Sequence, residues 1–153
     1  MSLLDKKVPP LILAGLAAVG IWIVSVILPG AAWPHWVRLY APLLLLVLGA
    51  GVCIAGVVEF RRAQTTVDPR IPEATSSLVT SGVYAVTRNP MYVGFALSLL
   101  ALALYLSSHW SLLIVVGFVV YLDQFQIRPE ENALAAVFGQ EFQDYQSRVR
   151  RWL

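Results

Sequence analysis

Charge and sulfur are both scarce in this chain. Only 13% of its residues are Asp, Glu, Lys or Arg, against 58% hydrophobic, a balance far from that of soluble globular domains. A soluble fold of 153 residues could not hide so much apolar surface. The single cysteine, Cys53, excludes an intrachain disulfide and a cysteine pair for a metal, and its place inside an apolar run makes it a packing residue. Internal repeats, low-complexity tracts and a strict G-x-x-x-G are also missing. The formal charge of +2 says little as a total, and no nucleic-acid partner or metal is expected from it.

What is present is long uncharged runs. Val8 to Leu28 and Leu39 to Val58 carry no charged residue, and at 1.5 Å per residue each can cross a ~30 Å hydrocarbon core. The first is too long for the apolar region of a signal peptide, and Leu28-Pro29-Gly30 is a poor cleavage site, so it reads as retained. Two more runs, Pro90 to Leu106 and Trp110 to Ile127, are separated only by Ser107, Ser108 and His109, a link that forces an antiparallel hairpin. The sequence therefore predicts one all-α polytopic membrane domain over 1–153, with four spans at about 8–28, 39–60, 90–106 and 110–127 and a loop at 61–89. Ala14, Ala18, Gly49, Cys53 and Gly56 would let the first two spans pack closely.

Basic residues set the orientation. Lys6, Lys7, Arg61, Arg62, Arg70, Arg88, Arg128, Arg148, Arg150 and Arg151 fall on one side of a four-span topology, and only Arg38 on the other. Both termini are then cytoplasmic, with Trp33, Trp36, Tyr40 and Trp110 as an outer aromatic belt. Beyond Pro129, the residues Leu134, Val137, Phe138, Phe142, Tyr145, Val149 and Trp152 recur at helical spacing, which predicts an amphipathic helix over 129–153 with Gly139 as its breaking point. Such a helix fits an interfacial anchor and a lid over a membrane-surface site equally well.

Several polar residues at the cytoplasmic ends of the spans call for partners. Arg88 stands at the mouth of the third span, where an unpaired guanidinium is costly, so it should meet a carboxylate of the protein or of a ligand. Pro90 opens that span and leaves first-turn N–H groups for a polar ligand, with Asn89 beside them. Asp123, Gln124 and Gln126 make the end of the fourth span polar, which suits protein interior or a wet cavity. Glu130 and Glu131 lie in a helix first turn, where the dipole favours carboxylates.

The strings Leu78-Val79-Thr80-Ser81-Gly82-Val83-Tyr84, Arg88-Asn89-Pro90-Met91-Tyr92-Val93-Gly94, Glu130-Glu131 and Phe138-Gly139-Gln140-Glu141-Phe142 together resemble the isoprenylcysteine carboxyl methyltransferase and phospholipid methyltransferase superfamily. The likeness covers about half the chain, from roughly Thr75 onward. It implies an integral membrane enzyme that uses S-adenosylmethionine to methylate a lipophilic acceptor, which could be a lipid or a lipidated protein. Carried over residue by residue, it implies donor contacts at Ser76, Ser77, Leu78, Val79, Tyr84, Asn89, Pro90, Met91, Tyr92 and Glu130, with Glu131 as a second member. Tyr84 and Tyr92 would offer aromatic faces to adenine or sulfonium, and Arg88 and Asn89 would stand nearest the chemistry.

Two positions depart from the superfamily's pattern. Asn89 replaces a histidine and cannot carry a proton near neutral pH. Gln126 stands where isoprenylcysteine enzymes place an arginine for the acceptor carboxylate, so Gln126 and Asp123 are expected at an acceptor site that takes no carboxylate. A pocket between the third and fourth spans, capped by the C-terminal helix, would let the two substrates meet. Membrane sterol reductases carry a related Arg-His-x-x-Tyr string and use NADPH, but here Arg61 and Arg62 are the sole basic cluster for a 2′-phosphate. A non-enzymatic four-helix scaffold would leave the Arg-Asn-Pro-Met-Tyr and Glu-Glu residues unexplained.

Overall fold

Prolines mark where the helices begin. In the computed structural model, which describes residues 8–63 and 77–153, Pro10 opens α1 (Pro10–Ile27) and Pro90 opens α3 (Pro90–Tyr105). At the first helical position the missing N–H is no loss and the fixed φ is already helical. Pro34 precedes α2 (His35–Arg62). A 3-10 turn at Gly82–Ala85 leads to α3, another at His109–Ser111 leads to α4 (Leu112–Leu122), and α5 (Arg128–Phe138) and α6 (Gln140–Arg148) follow. No β-strand occurs among the described residues, although one isolated bridge joins Thr87 to Arg150.

Three helical stretches are long and apolar enough to cross a membrane: α1, α2 and a continuous run from His109 to Phe138. The third expected span corresponds to α3, which is apolar but has only 16 residues. It is also the central helix, packed against α1, α2 and α4, with Tyr92, Val93, Leu99, Ala101 and Ala103 buried. The outer helices turn Leu16, Val47 and Leu113 outward, an apolar surface suited to lipid rather than water.

Contact between α2 and α3 requires glycine. A Cβ on Gly94 would lie 2.2 Å from Cys53 Sγ and 2.6 Å from the Gly49 carbonyl oxygen, and one on Gly49 would lie 2.8 Å from the Gly94 carbonyl oxygen. Backbones this close maximise dispersion contact where no hydrophobic effect separates helix from lipid. Cys53 adds an S–H bond to the Met91 carbonyl at 3.5 Å.

At one end of the bundle the α1–α2 and α3–α4 links meet, Ala31 N–H donating to Ser107 O at 2.7 Å. The α3 end is a Schellman arrangement: Ser108 N–H reaches Ala103 O, Ser107 N–H reaches Leu104 O, and Ser107 takes φ 55°, a conformation usually left to glycine. The tight hairpin follows from this single left-handed residue. Trp36, Tyr40 and Trp110 are exposed near this end.

The opposite end departs from the expected helix over 129–153. Instead of starting anew at Pro129, the chain runs from α4 through a π-helical turn, Asp123–Ile127, directly into α5. Pro129 has no N–H for the carbonyl four residues back and its ring crowds that carbonyl; a wider turn absorbs both problems. The helix stops at Gly139, whose φ of 53° closes α5, and α6 ends at Arg148, after which Val149 is extended. The apolar stripe therefore belongs to two helices and a returning tail. Phe142, Tyr145 and Val149 form a buried cluster with Leu78, Leu134, Ala135 and Phe138, so this face packs on protein, while Val137 is exposed.

An apolar groove of about 310 Å³ lies between α1 and α4, lined by Leu13, Ala17, Ile114, Gly117, Phe118 and Tyr121. It differs from the pocket expected between the third and fourth spans, since its lining is shared with α1 and contains no carboxylate.

Candidate functional site

At the end of the bundle away from the two links, α3, the π-helical turn, α5 and the tail after α6 bring the polar residues together. The two adjacent glutamates of α5 diverge there. Glu130 Oε1 accepts from the Tyr92 hydroxyl at 2.8 Å and from Gln126 Nε2 at 2.7 Å. Glu131 is held by two guanidinium groups: Arg88 donates Nη2 at 2.7 Å and Nε at 3.2 Å to Oε1, while Arg151 donates Nη2 at 2.5 Å to Oε2 and Nε at 3.2 Å to Oε1. Successive helical residues point about 100° apart, which is how neighbours in sequence reach different partners.

Arg88 thus meets a protein carboxylate. Its remaining nitrogen, Nη1, donates to Val149 O at 2.6 Å and Gln146 O at 3.1 Å, capping the last carbonyls of α6. Its backbone N–H donates to Arg150 O at 3.0 Å. Asn89 is similarly committed, Nδ2 donating to Arg151 O at 2.9 Å, and Thr87 Oγ1 donates to the same carbonyl at 3.3 Å while accepting Asn89 N–H at 3.2 Å. The turn before α3 and the tail after α6 are therefore stitched together by side chains and backbone alike.

The residues expected at the acceptor lie in the same network. Gln126 is 2% exposed, and its amide is directed at Glu130. Asp123 accepts from Arg151 Nη1 at 3.1 Å and from Trp152 Nε1 at 3.3 Å, with Arg128 Nε 3.4 Å away. Hydrogen bonding to Glu131, opposed by partial burial and reinforced by the charges of Glu131 and Asp123, raises the pKa of Arg151 above its usual value.

Tyr84, Tyr92, Pro90 and Val79 are buried. Tyr84 meets Phe60 edge-on at 5.2 Å between ring centres, its carbonyl accepts the Tyr145 hydroxyl at 2.7 Å, and burial, with Tyr145, Glu130 and Cys53 adding to it, pushes its phenol pKa well up. Met91 flanks Gly56 beside Pro90. Leu78 packs under α6. Ser77 Oγ donates to Ala63 O at 3.3 Å, just past the end of α2, and Ser76 lies outside the described residues. Two contributions were not anticipated. Arg151 and Trp152, in sequence a cytoplasmic charge and a member of the apolar repeat, hold Asp123, and Glu59, 12% exposed in its side chain, accepts Ser81 Oγ at 2.6 Å and Arg62 Nη1 at 3.0 Å beside the Tyr84 turn. The signal for Arg151 was chemical: Asp123 and Glu131 at a membrane boundary need cations.

Comparison with known proteins bears on this arrangement. Residues 37–141 match the family model for phospholipid methyltransferase. An uncharacterized Haemophilus influenzae protein is 43% identical over 63 residues, which is 41% of this chain and all of that protein. Proteins named as probable protein-S-isoprenylcysteine O-methyltransferase in Oryza sativa subsp. indica and subsp. japonica are 30% identical over 122 residues, covering 78% of this chain. The chain spans 62% of the length of those rice proteins. No solved structure matches. The family match takes in α3, the π-helical turn and both glutamates, and the chain belongs to the phospholipid methyltransferase family, in the superfamily shared with the isoprenylcysteine carboxyl methyltransferases.

Proposed function

We propose that this membrane methyltransferase takes its methyl group from S-adenosylmethionine, held at Glu130, and passes it to a lipophilic acceptor that carries no carboxylate. The observation that carries the reading is the divergence of the two glutamates: Glu131 is bound by Arg88 and Arg151, while Glu130 is turned to Tyr92 in the first turn of α3 and to Gln126. An oriented carboxylate suits an ammonium or ribose hydroxyls, and the first turn of α3 adds N–H groups beside it. Tyr84 and Tyr92 supply aromatic surface within the same region. When bound, the donor supplies an electrophilic methyl on sulfur.

Displacement at that methyl needs alignment and exclusion of water more than acid or base chemistry. The residues fit that demand: Arg88 and Asn89 spend their donors on Glu131 and on the tail carbonyls, and so act by holding the site's frame. Asn89 has no titratable proton to move. With Gln126 turned toward Glu130, position 126 offers no guanidinium to an acceptor carboxylate, and the arginines beside Asp123, Arg128 and Arg151, are already engaged by that aspartate.

Calorimetry with S-adenosylhomocysteine tests the donor assignment. Glu130→Ala should weaken binding by more than about 1.5 kcal/mol, the loss typical of a charge-assisted hydrogen bond, whereas Glu141→Ala should not change it. Equal affinity of Glu130→Ala and wild type would overturn the assignment, and stabilisation by NADPH alone would favour the reductase reading. The same proposal puts both termini in the cytoplasm. A cysteine at exposed His109 should then react with impermeant maleimide on intact cells, and one at exposed Gln143 only after permeabilisation; the reverse pattern would invert the topology.

A further inference from the structure

We infer that Arg151 is a positioning residue for Glu130, acting through the π-helical turn; the inference rests on Glu130 being the donor-binding carboxylate. Arg151 is anchored on both sides. Its backbone carbonyl accepts Asn89 Nδ2 and Thr87 Oγ1 from the turn that opens α3. Its guanidinium reaches Asp123, the first residue of the π-helical turn, at 3.1 Å, and Glu131, in the first turn of α5, at 2.5 Å. Trp152 adds a second tie to Asp123. One residue thus spans the irregular turn with its side chain, from Asp123 to Glu131, and fastens it to the start of α3 through its backbone carbonyl.

The contact that depends on this staple is the one that aims Glu130. Tyr92 belongs to α3, Gln126 to the π-helical turn and Glu130 to α5, so the carboxylate keeps the Tyr92 hydroxyl only while α5 holds its register against α3. A π-helical turn is an uncommon state of a helix, with one extra residue over its regular alternative. Were it to revert, α5 would rotate by about 100° relative to α4, carrying Glu130 away from Tyr92 of α3 and Glu131 out of register with Asp123, while the Gln126–Glu130 contact, four residues apart, is one that a regular helix also allows. Planar, two-pronged contacts to carboxylates 20 and 28 residues back in the chain suit arginine; lysine, with one compact ammonium, engages one carboxylate well at a time.

The test uses the full-length protein in detergent. Arg151→Gln should weaken S-adenosylhomocysteine binding by about tenfold or more, and Arg151→Lys by only about threefold, as expected for loss of a charge-assisted tie against partial retention. In a Glu130→Gln background the further loss from Arg151→Gln should be under about twofold, because residues acting as a unit are non-additive. Nitroxides at Gln124, within the turn, and at Asn132, beyond it, both exposed, in a Cys53→Ser chain, read the turn without any ligand. Their dipolar coupling should change in Arg151→Gln and persist in Arg151→Lys. Equal losses of affinity in both backgrounds, or unchanged coupling in Arg151→Gln, would overturn the inference. If wild type binds no S-adenosyl compound while the coupling responds as expected, the donor assignment fails and the stapling of the turn stands. Should Arg151→Gln fail to fold, Arg151→Lys together with Asp123→Asn decides through the same two readouts.

Discussion

Replacing Glu131 by glutamine keeps its shape and one acceptor oxygen while removing the charge that two arginines share. The Arg88 side chain is 11% exposed and that of Glu131 is 9% exposed, so the guanidinium of Arg88 cannot recover water when its partner is neutralised. Breaking a buried pair from one side costs about 3–5 kcal/mol. Arg88 retains the Val149 and Gln146 carbonyls, which places the Arg88 share near the lower end. Arg151, 30% exposed, rehydrates more readily and keeps Asp123, and its share is nearer the ~1 kcal/mol of an exposed pair. We expect a total loss of about 3–4 kcal/mol, or roughly 6–16 °C in the unfolding midpoint for a chain of this size. Thermal unfolding in detergent, followed by tryptophan fluorescence, reads it. Glu141→Gln, on an exposed residue of α6, should stay within about 0.5 kcal/mol. A loss below about 1 kcal/mol for Glu131→Gln would refute the reasoning, because the arginines would then be served by other groups.

Gly94→Ala should cost about 2–3 kcal/mol or more through overpacking, and Cys53→Gly should rescue it only in part because the Gly49 carbonyl, 2.6 Å from the new Cβ, remains; full rescue in the unfolding midpoint would contradict this packing. Ser107→Gly should stabilise by about 1 kcal/mol, since it relieves a left-handed serine and removes a buried hydroxyl that has no hydrogen-bond partner, and a lowered midpoint would count against it. Gln126→Arg should pair with Glu130 and so reduce S-adenosylhomocysteine affinity by about tenfold without creating turnover of carboxylate acceptors; efficient turnover of such acceptors would mean that position 126 faces the acceptor after all. Tyr84 and Tyr145 both have phenols raised above 10.0 by burial, with Arg88 partly opposing the shift at Tyr145. A raised folded pKa gives stability that is complete below the unfolded value and is lost above it, so the midpoint should fall steadily above about pH 10, and a flat profile from about pH 9.5 to 11.5 would exclude the linkage.

Much of this was legible because apolar runs and prolines are local signals. Pro90 opens α3 as its position suggests, and an Arg88 at a membrane boundary announces its need for a carboxylate. Which carboxylate was not legible: Glu130 and Glu131 are chemically identical in sequence, and only the rotation of α5 separates one toward Tyr92 and the other toward Arg88. Pro129 misled for a related reason. Proline commonly starts a helix, but the same residue is tolerated inside one when the preceding turn widens, and nothing local to Asp123–Ile127 signals that. The role of Arg151 depends on contacts across 20 and more residues, beyond the reach of any periodicity.

The unequal lengths of α2 and α3 govern how reactants arrive. Pro90, the first residue of α3, packs beside Gly56, and α2 continues from there to Arg62, rising about 9 Å further at 1.5 Å per residue. On the proposed reading, a water-soluble donor descends beside that wall to reach Tyr92 and Glu130. A molecule dissolved in the leaflet meets the same level by sliding sideways, in two dimensions and without leaving its solvent. For such an acceptor the quantity that sets saturation is mole fraction in the bilayer, so turnover should follow surface dilution with inert lipid and stay unchanged when the aqueous volume is altered.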